Sequence, residues 1–141
     1  MIVLGIDYGD ARTGVAVSDA SGTLATGVCV LTERRAEVLA DKIAALAAEK
    51  GAGTLVLGLP KNMDGSCGFR AEACRAFGAL LAEKTGLPLV YRDERLTTVQ
   101  AHRLLNDVNV RGKKRKNVVD AVAAELILQD YLDSAEKEGK T

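Results

Sequence analysis

Residues 1–14, MIVLGIDYGDARTG, decide how the rest of the chain is read. Ile2, Val3, Leu4 and Ile6 form a short apolar run with the character of a buried strand, and the run ends in Tyr8 and Gly9. It delivers one carboxylate, Asp7, where the strand gives way to a loop. An acid there has two readings: it opens the turn before Gly9, as Asp does at many strand ends, or it is placed for chemistry. Two later acids, Glu94 and Asp120, also stand at junctions between an apolar element and a loop. Three such carboxylates, brought together, would suit a divalent metal.

Working outward, Val15 and Val17 alternate with smaller neighbours over residues 12–19, a turn follows at 20–22, and residues 23–32 read as a third strand. Three strands joined by short turns make an antiparallel meander. After Glu33 the period changes: Val38, Leu39, Ile43, Leu46 and Ala47 recur at helical spacing until Gly51 and Gly53. Residues 54–57 are a short apolar strand, followed by the loop GLPKNMDGSCG at 58–68. A second helix is expected over 69–85, with Ala73, Phe77, Leu80 and Leu81 along one side and Gly86 as its stop. Residues 87–92 form a fifth strand ending in Asp93 and Glu94. Thr97 and Gln100 fit a capping box for a helix running to about Asn106. Asn117 caps a last helix carrying Val119, Val122, Ala123, Leu126, Ile127 and Leu132, and the polar tail from about 134 to 141 frays. The order predicts an α/β fold: a mixed five-stranded sheet, three antiparallel strands extended by parallel ones, with helices on both faces. That is the ribonuclease H-like arrangement, spanning residues 1–141 as a single domain.

Composition sets the bounds. A chain of 141 residues, 48% hydrophobic and 27% charged, is long enough to bury a core without disulfides or metal staples. No apolar run approaches a membrane span and the N-terminus lacks the layout of a signal peptide, so a cytoplasmic protein without membrane partners is expected. Cys29, Cys67 and Cys74 are odd in number and lack CxxC spacing, which predicts reduced thiols rather than a zinc site or a disulfide framework. Nineteen basic residues balance nineteen acidic ones, but Arg111, Lys113, Lys114, Arg115 and Lys116 crowd into one stretch with no acidic block to answer them.

Asp7 and Glu94 end the first and fifth strands, and in a mixed sheet those ends can share the edge where ligands gather. Asp120 would be the third residue of the last helix, where the helix dipole favours a negative charge. It also heads a stripe of Ala124, Ile127 and Tyr131, which turns it toward protein, and a carboxylate facing inward calls for a cation. Carboxylates around Mg²⁺ or Mn²⁺ suit phosphodiester hydrolysis, and the single histidine, His102, reads as a surface or packing residue. The basic stretch can grip phosphates, with further contacts from Arg12, Lys61, Asn62 and Arg70. Aromatic residues are too few to suggest single-strand binding by base stacking.

Four segments, GIDYGDARTGVAVSD, GLPKNMDGSCGFRAE, DERLTTVQA and VVDAVAAELILQDYL, together resemble the YqgF family, described both as pre-16S rRNA nucleases and as Holliday junction resolvases. The resemblance spans nearly the whole chain. It implies a ribonuclease H-like nuclease with Asp7, Glu94 and Asp120 as catalytic metal ligands for Mg²⁺ or Mn²⁺. The expected role is maturation of the 5′ end of pre-16S ribosomal RNA in ribosome biogenesis. Branched DNA is the alternative substrate; a monomer or a homodimer is expected, and the two coordinated nicks of junction resolution would be supplied by a symmetric dimer. Two rivals come from other classes. GIDYGDARTG also resembles the first phosphate loop of actin-like ATPases and sugar kinases, and a ribosome-assembly binding module would use the basic stretch without chemistry.

Overall fold

The two-residue period of a strand sorts its side chains onto opposite faces, and that sorting organises this molecule. The computed structural model describes residues 1–9, 12–59, 69–93 and 122–134, with the side chains of residues 59, 69–71 and 93 excluded. The elements follow in the expected order: β1 (Ile2–Tyr8), β2 (Thr13–Ser18), β3 (Ala25–Leu31), α1 (Ala36–Lys50), β4 (Ala52–Leu59), α2 (Phe69–Thr85) and β5 (Leu89–Asp93). Residues 122–134 add a final helix, α3. The expected helix over 97–106 lies outside the described residues, as do the cap at Asn117 and the tail from 135 onward.

The five strands form one sheet in the order β3-β2-β1-β4-β5. β1, β2 and β3 pair antiparallel as a meander, whereas β4 runs parallel to β1 and β5 parallel to β4. The C-terminal ends of β1, β4 and β5 therefore share one edge. On one face Leu4, Ile6, Val15, Leu55 and Leu57 pack against Leu39, Ala40, Ile43 and Ala47 of α1 and against Phe77 and Leu81 of α2. On the other, Val3, Ala16, Ala25 and Val56 pack against Ala124, Ile127, Leu128 and Leu132 of α3. Helices thus cover both faces, as the order of elements predicts. Each fully buried aliphatic side chain contributes roughly 1.5–3 kcal/mol of transfer free energy.

Three expectations need adjusting. Gly51 alone ends α1: its left-handed backbone (φ 71°) lets its N–H reach the carbonyls of Ala47 and Ala48. Gly53 instead lies inside β4, which runs longer than residues 54–57 because it pairs with β1 from Ala52 onward. On α2 the buried positions are Cys74, Phe77, Gly78 and Leu81, while Ala73 is exposed, as are Ala76 and Ala79. β5 starts at Leu89, two residues later than expected; Pro88 before it has no N–H to donate to a ladder, though its carbonyl accepts from the Leu55 N–H (2.9 Å).

Close approach, more than bulk, seats the helices. A Cβ on Gly5 would sit 2.7 Å from Cβ of Leu128 and 3.2 Å from the carbonyl oxygen of Ala124, so α3 rests on the bare backbone of β1. A Cβ on Gly78 of α2 would overlap the Tyr91 hydroxyl of β5. Gln129 then fixes α3 lengthwise: its side-chain oxygen accepts from the Ala25 N–H (2.9 Å) and its amide donates to the Thr23 carbonyl (2.8 Å). The β2–β3 turn is closed by Asp19, whose carboxylate accepts from the N–H groups of Thr23 (2.8 Å) and Leu24 (3.2 Å) and from the Ser21 hydroxyl (2.8 Å). Those bonds, Thr23's first, hold its carboxyl below the usual carboxylate range.

Gly5→Ala and Gly78→Ala should each lower stability by about 1–3 kcal/mol in urea unfolding, the usual range for overpacking. For Asp19 the folded carboxyl titrates below the unfolded one, so its contribution is present above the unfolded value and lost as pH falls through the folded value. Asp19→Ala should therefore destabilise at neutral pH, and thermal scans on descending pH should show its deficit against the wild type shrinking in the acid range.

Candidate active site

Strand alternation places Asp7 on the α3 face of the sheet, in line with Val3 and Gly5. Its register partner on β2 is Gly14. On the other side Ile6 pairs with Leu57, so the next position of β4, Gly58, lies beside Asp7. Gly58 pairs in turn with Arg92 of β5. One row across the sheet, near its shared C-terminal edge, therefore reads Gly14, Asp7, Gly58, Arg92. The glycines bring no side chains, so the half-buried carboxylate of Asp7 stands between two stretches of bare backbone. Among the described residues it has neither a hydrogen-bond donor nor a cationic partner.

Arg92 closes the row at the β5 side. Its guanidinium lies over the Tyr131 ring of α3, 5.4 Å from the centroid, a cation–π arrangement. Its Nε is buried and has no hydrogen-bond partner among the described residues. Sequence reasoning passed over this residue because attention fell on the acids that follow it. Alternation puts Val90 and Arg92 on one face of β5, and only the strand pairing makes that the face bearing Asp7.

Of the remaining expected site residues, Glu94 and Asp120 lie outside the described residues. Glu94 follows directly on Asp93, the last residue of β5, which pairs with Leu59 at the end of β4. Asp120 precedes the described start of α3 by two residues. Ala124 and Ile127, the stripe expected beneath Asp120, are fully buried against the sheet, and Tyr131 is half-buried. Arg12 is half-buried and immediately precedes β2, beside the end of β1. Lys61, Asn62 and the basic residues Arg111, Lys113, Lys114, Arg115 and Lys116 lie outside the described residues, as does the side chain of Arg70, in the first turn of α2. Among the described residues no three His, Cys, Asp or Glu side chains gather as a metal cluster.

On the opposite face the Tyr8 and Phe77 rings stack at 4.2 Å, tilted by 6°, and fix the end of β1 against α2. Cys29 is half-buried and Cys74 buried, neither in a disulfide; burial pushes the Cys29 thiol up, away from the reactive thiolate. Cys67 and His102 lie outside the described residues. No described helix is long and apolar enough to cross a membrane.

Comparison with known proteins places this geometry. A protein named "Putative pre-16S rRNA nuclease" from Leuconostoc mesenteroides is 48% identical over 140 residues, covering 97% of this chain and 98% of its own. One of the same name from Lactiplantibacillus plantarum is 48% identical over 136 residues, covering 94% of each chain. In fold the chain is similar to Thermus thermophilus RuvC in complex with a Holliday junction substrate (TM-score 0.63, 14% identity, covering 97% of this chain and 96% of that one). It is also similar to the fowlpox virus Holliday junction resolvase (TM-score 0.59, 11% identity, covering 96% and 99%). These likenesses establish the ribonuclease H-like sheet. The family profile described as "RuvX: Holliday junction resolvase" matches residues 1–134, and the chain belongs to that family of phosphodiester-hydrolysing enzymes.

Proposed function

We propose that this protein is a divalent-metal-dependent nuclease that trims the 5′ end of pre-16S ribosomal RNA, with Asp7, Glu94 and Asp120 holding the metal. The observation that carries this reading is the setting of Asp7: a half-buried carboxylate without a cation among the described residues, flanked by glycine backbone, at the edge shared by three parallel strand ends. A carboxylate taken partly out of water wants a cation. The described protein offers it none, and hard oxygen donors suit Mg²⁺ or Mn²⁺.

In this proposal Glu94 and Asp120 complete the site. β5 reaches this edge at Asp93, so Glu94 is the first residue beyond it. α3 lies over Gly5 through Ala124 and Leu128, and Gln129 ties its later part to Ala25, level with Val3. Asp120 stands four residues before Ala124 in sequence, and the proposal is that it comes level with Asp7.

A bound Mg²⁺ or Mn²⁺ supplies an activated water and stabilises the leaving oxygen. The three carboxylates orient that ion, and Gly14 and Gly58 flank Asp7 without side chains of their own. Arg12, Lys61, Asn62, Arg70 and the basic stretch at 111–116 hold the flanking phosphates. Ribosomal RNA is the first substrate because relatives matching at 48% identity across nearly the whole chain carry that name. Branched DNA is the second, favoured by the family's own description.

Asp7→Asn should lower the cleavage rate on the order of a hundredfold or more while leaving nucleic-acid affinity nearly unchanged. Labelled precursor RNA and a four-way DNA junction, each incubated with Mn²⁺, Mg²⁺ or chelator, test this and separate the substrates. Metal-dependent cutting of the RNA alone supports rRNA processing, and paired symmetric nicks in the junction support resolution. Binding of either probe without cleavage by the wild type would leave a binding module. Changing Lys113 and Lys114 together to Gln should weaken binding without regard to sequence and flatten its salt dependence, each lost phosphate contact removing a slope of about 0.7–0.9.

A further inference from the structure

We infer that Arg92 binds a phosphate of the substrate backbone on the β5 side of Asp7, with the Tyr131 ring holding its guanidinium plane. The inference rests on the nuclease reading above and adds a residue to it. Asp7 and Arg92 occupy the same row and the same face, separated only by Gly58. Two strand spacings put their backbones about 9.5 Å apart, and the residue between them has no side chain to fill the gap.

The setting of the guanidinium suits an anion. It stacks on Tyr131 at 5.4 Å, its Nε is shut off from water, and among the described residues no carboxylate or hydrogen-bond acceptor meets it. Desolvating a cation without an anionic partner is costly. A side chain needed only to cover Tyr131 would be better served by an apolar residue. Arginine suits the second role because its planar fork stacks on an aromatic ring through its face and grips phosphate oxygens through its edge. Arg92 remains half-exposed as a whole, so a ligand can approach it. Every nucleic acid carries phosphate, so the contact serves ribosomal RNA and branched DNA alike.

The test is equilibrium binding by fluorescence anisotropy in chelator, across a salt series, with a 5′-extended 16S precursor RNA and a four-way DNA junction as probes. Arg92→Gln should weaken binding roughly ten- to a hundredfold, the scale of one charge-assisted hydrogen-bonded contact. It should also reduce the slope of log affinity against log salt by nearly one. Arg92→Lys should keep the slope, since the charge remains, yet bind more weakly than the wild type because the fork is lost. Should Arg92→Gln fail to fold, Arg92→Met, whose flexible stem still packs on Tyr131, gives the same readout. A folded variant with wild-type affinity and slope overturns the inference, and so does a lower thermal midpoint as the only change. Failure of the wild type to cleave either probe would count against the nuclease reading, while the salt slope would still decide whether Arg92 touches phosphate.

Discussion

The helix that closes the sheet can do so because Gly5 has no side chain. Leu128 and the Ala124 carbonyl occupy the space a Cβ would need, and this contact sets how closely α3 lies on β1. The apolar faces of Ala124, Ile127 and Leu128 would bury against any sheet, but only the bare backbone at Gly5 lets them do so at this depth. The orientation of α3 then follows from Gln129, whose two hydrogen bonds tie the later part of the helix to the start of β3. The seat of α3 on the sheet is thus set by packing around Gly5 and Ala25, away from Asp7 itself.

The same economy appears on the other face. Tyr8 stacks on Phe77, and Tyr91 lies against Gly78, so the last residue of β1 and the middle of β5 are both braced by α2. Rigid strand ends matter for a carboxylate meant to coordinate a metal, because the ion accepts little error in donor position. The paired ends of β1, β4 and β5 supply that rigidity. Surface electrostatics contributes little by comparison. The Lys84–Asp41 pair (2.9 Å) joins α2 to α1 but sits in solvent, where screening leaves such pairs nearly neutral.

Most of the fold was legible in the sequence because the period of its apolar residues changes cleanly between two and 3.6. The α2 limits at Phe69 and Thr85 coincide with the expected ones, and β1 and β2 differ from expectation only at their ends. Errors arose where pairing or packing overrode local signals. Gly53 reads as a breaker but is carried in β4 by its neighbours, and Ala73 reads as core but faces solvent because Gly78 and Cys74 can approach the sheet more closely. At the site, Asp7 was visible as an acid ending an apolar run. Arg92 was not, since its meaning depends on a row of register partners, Gly14, Asp7 and Gly58, drawn from three other strands. Local sequence does not encode who sits two strands away.

The central claim is that Asp7, Glu94 and Asp120 share one metal, and Mn²⁺ reports on it directly. Crystals soaked in Mn²⁺ and measured by anomalous diffraction should show an ion bonded to the Asp7 carboxylate and to both other acids, at about the 2.0–2.3 Å typical of hard cations with oxygen ligands. An ordered Asp7 without an ion, or Mn²⁺ bound only at acids away from this edge of the sheet, would contradict the account.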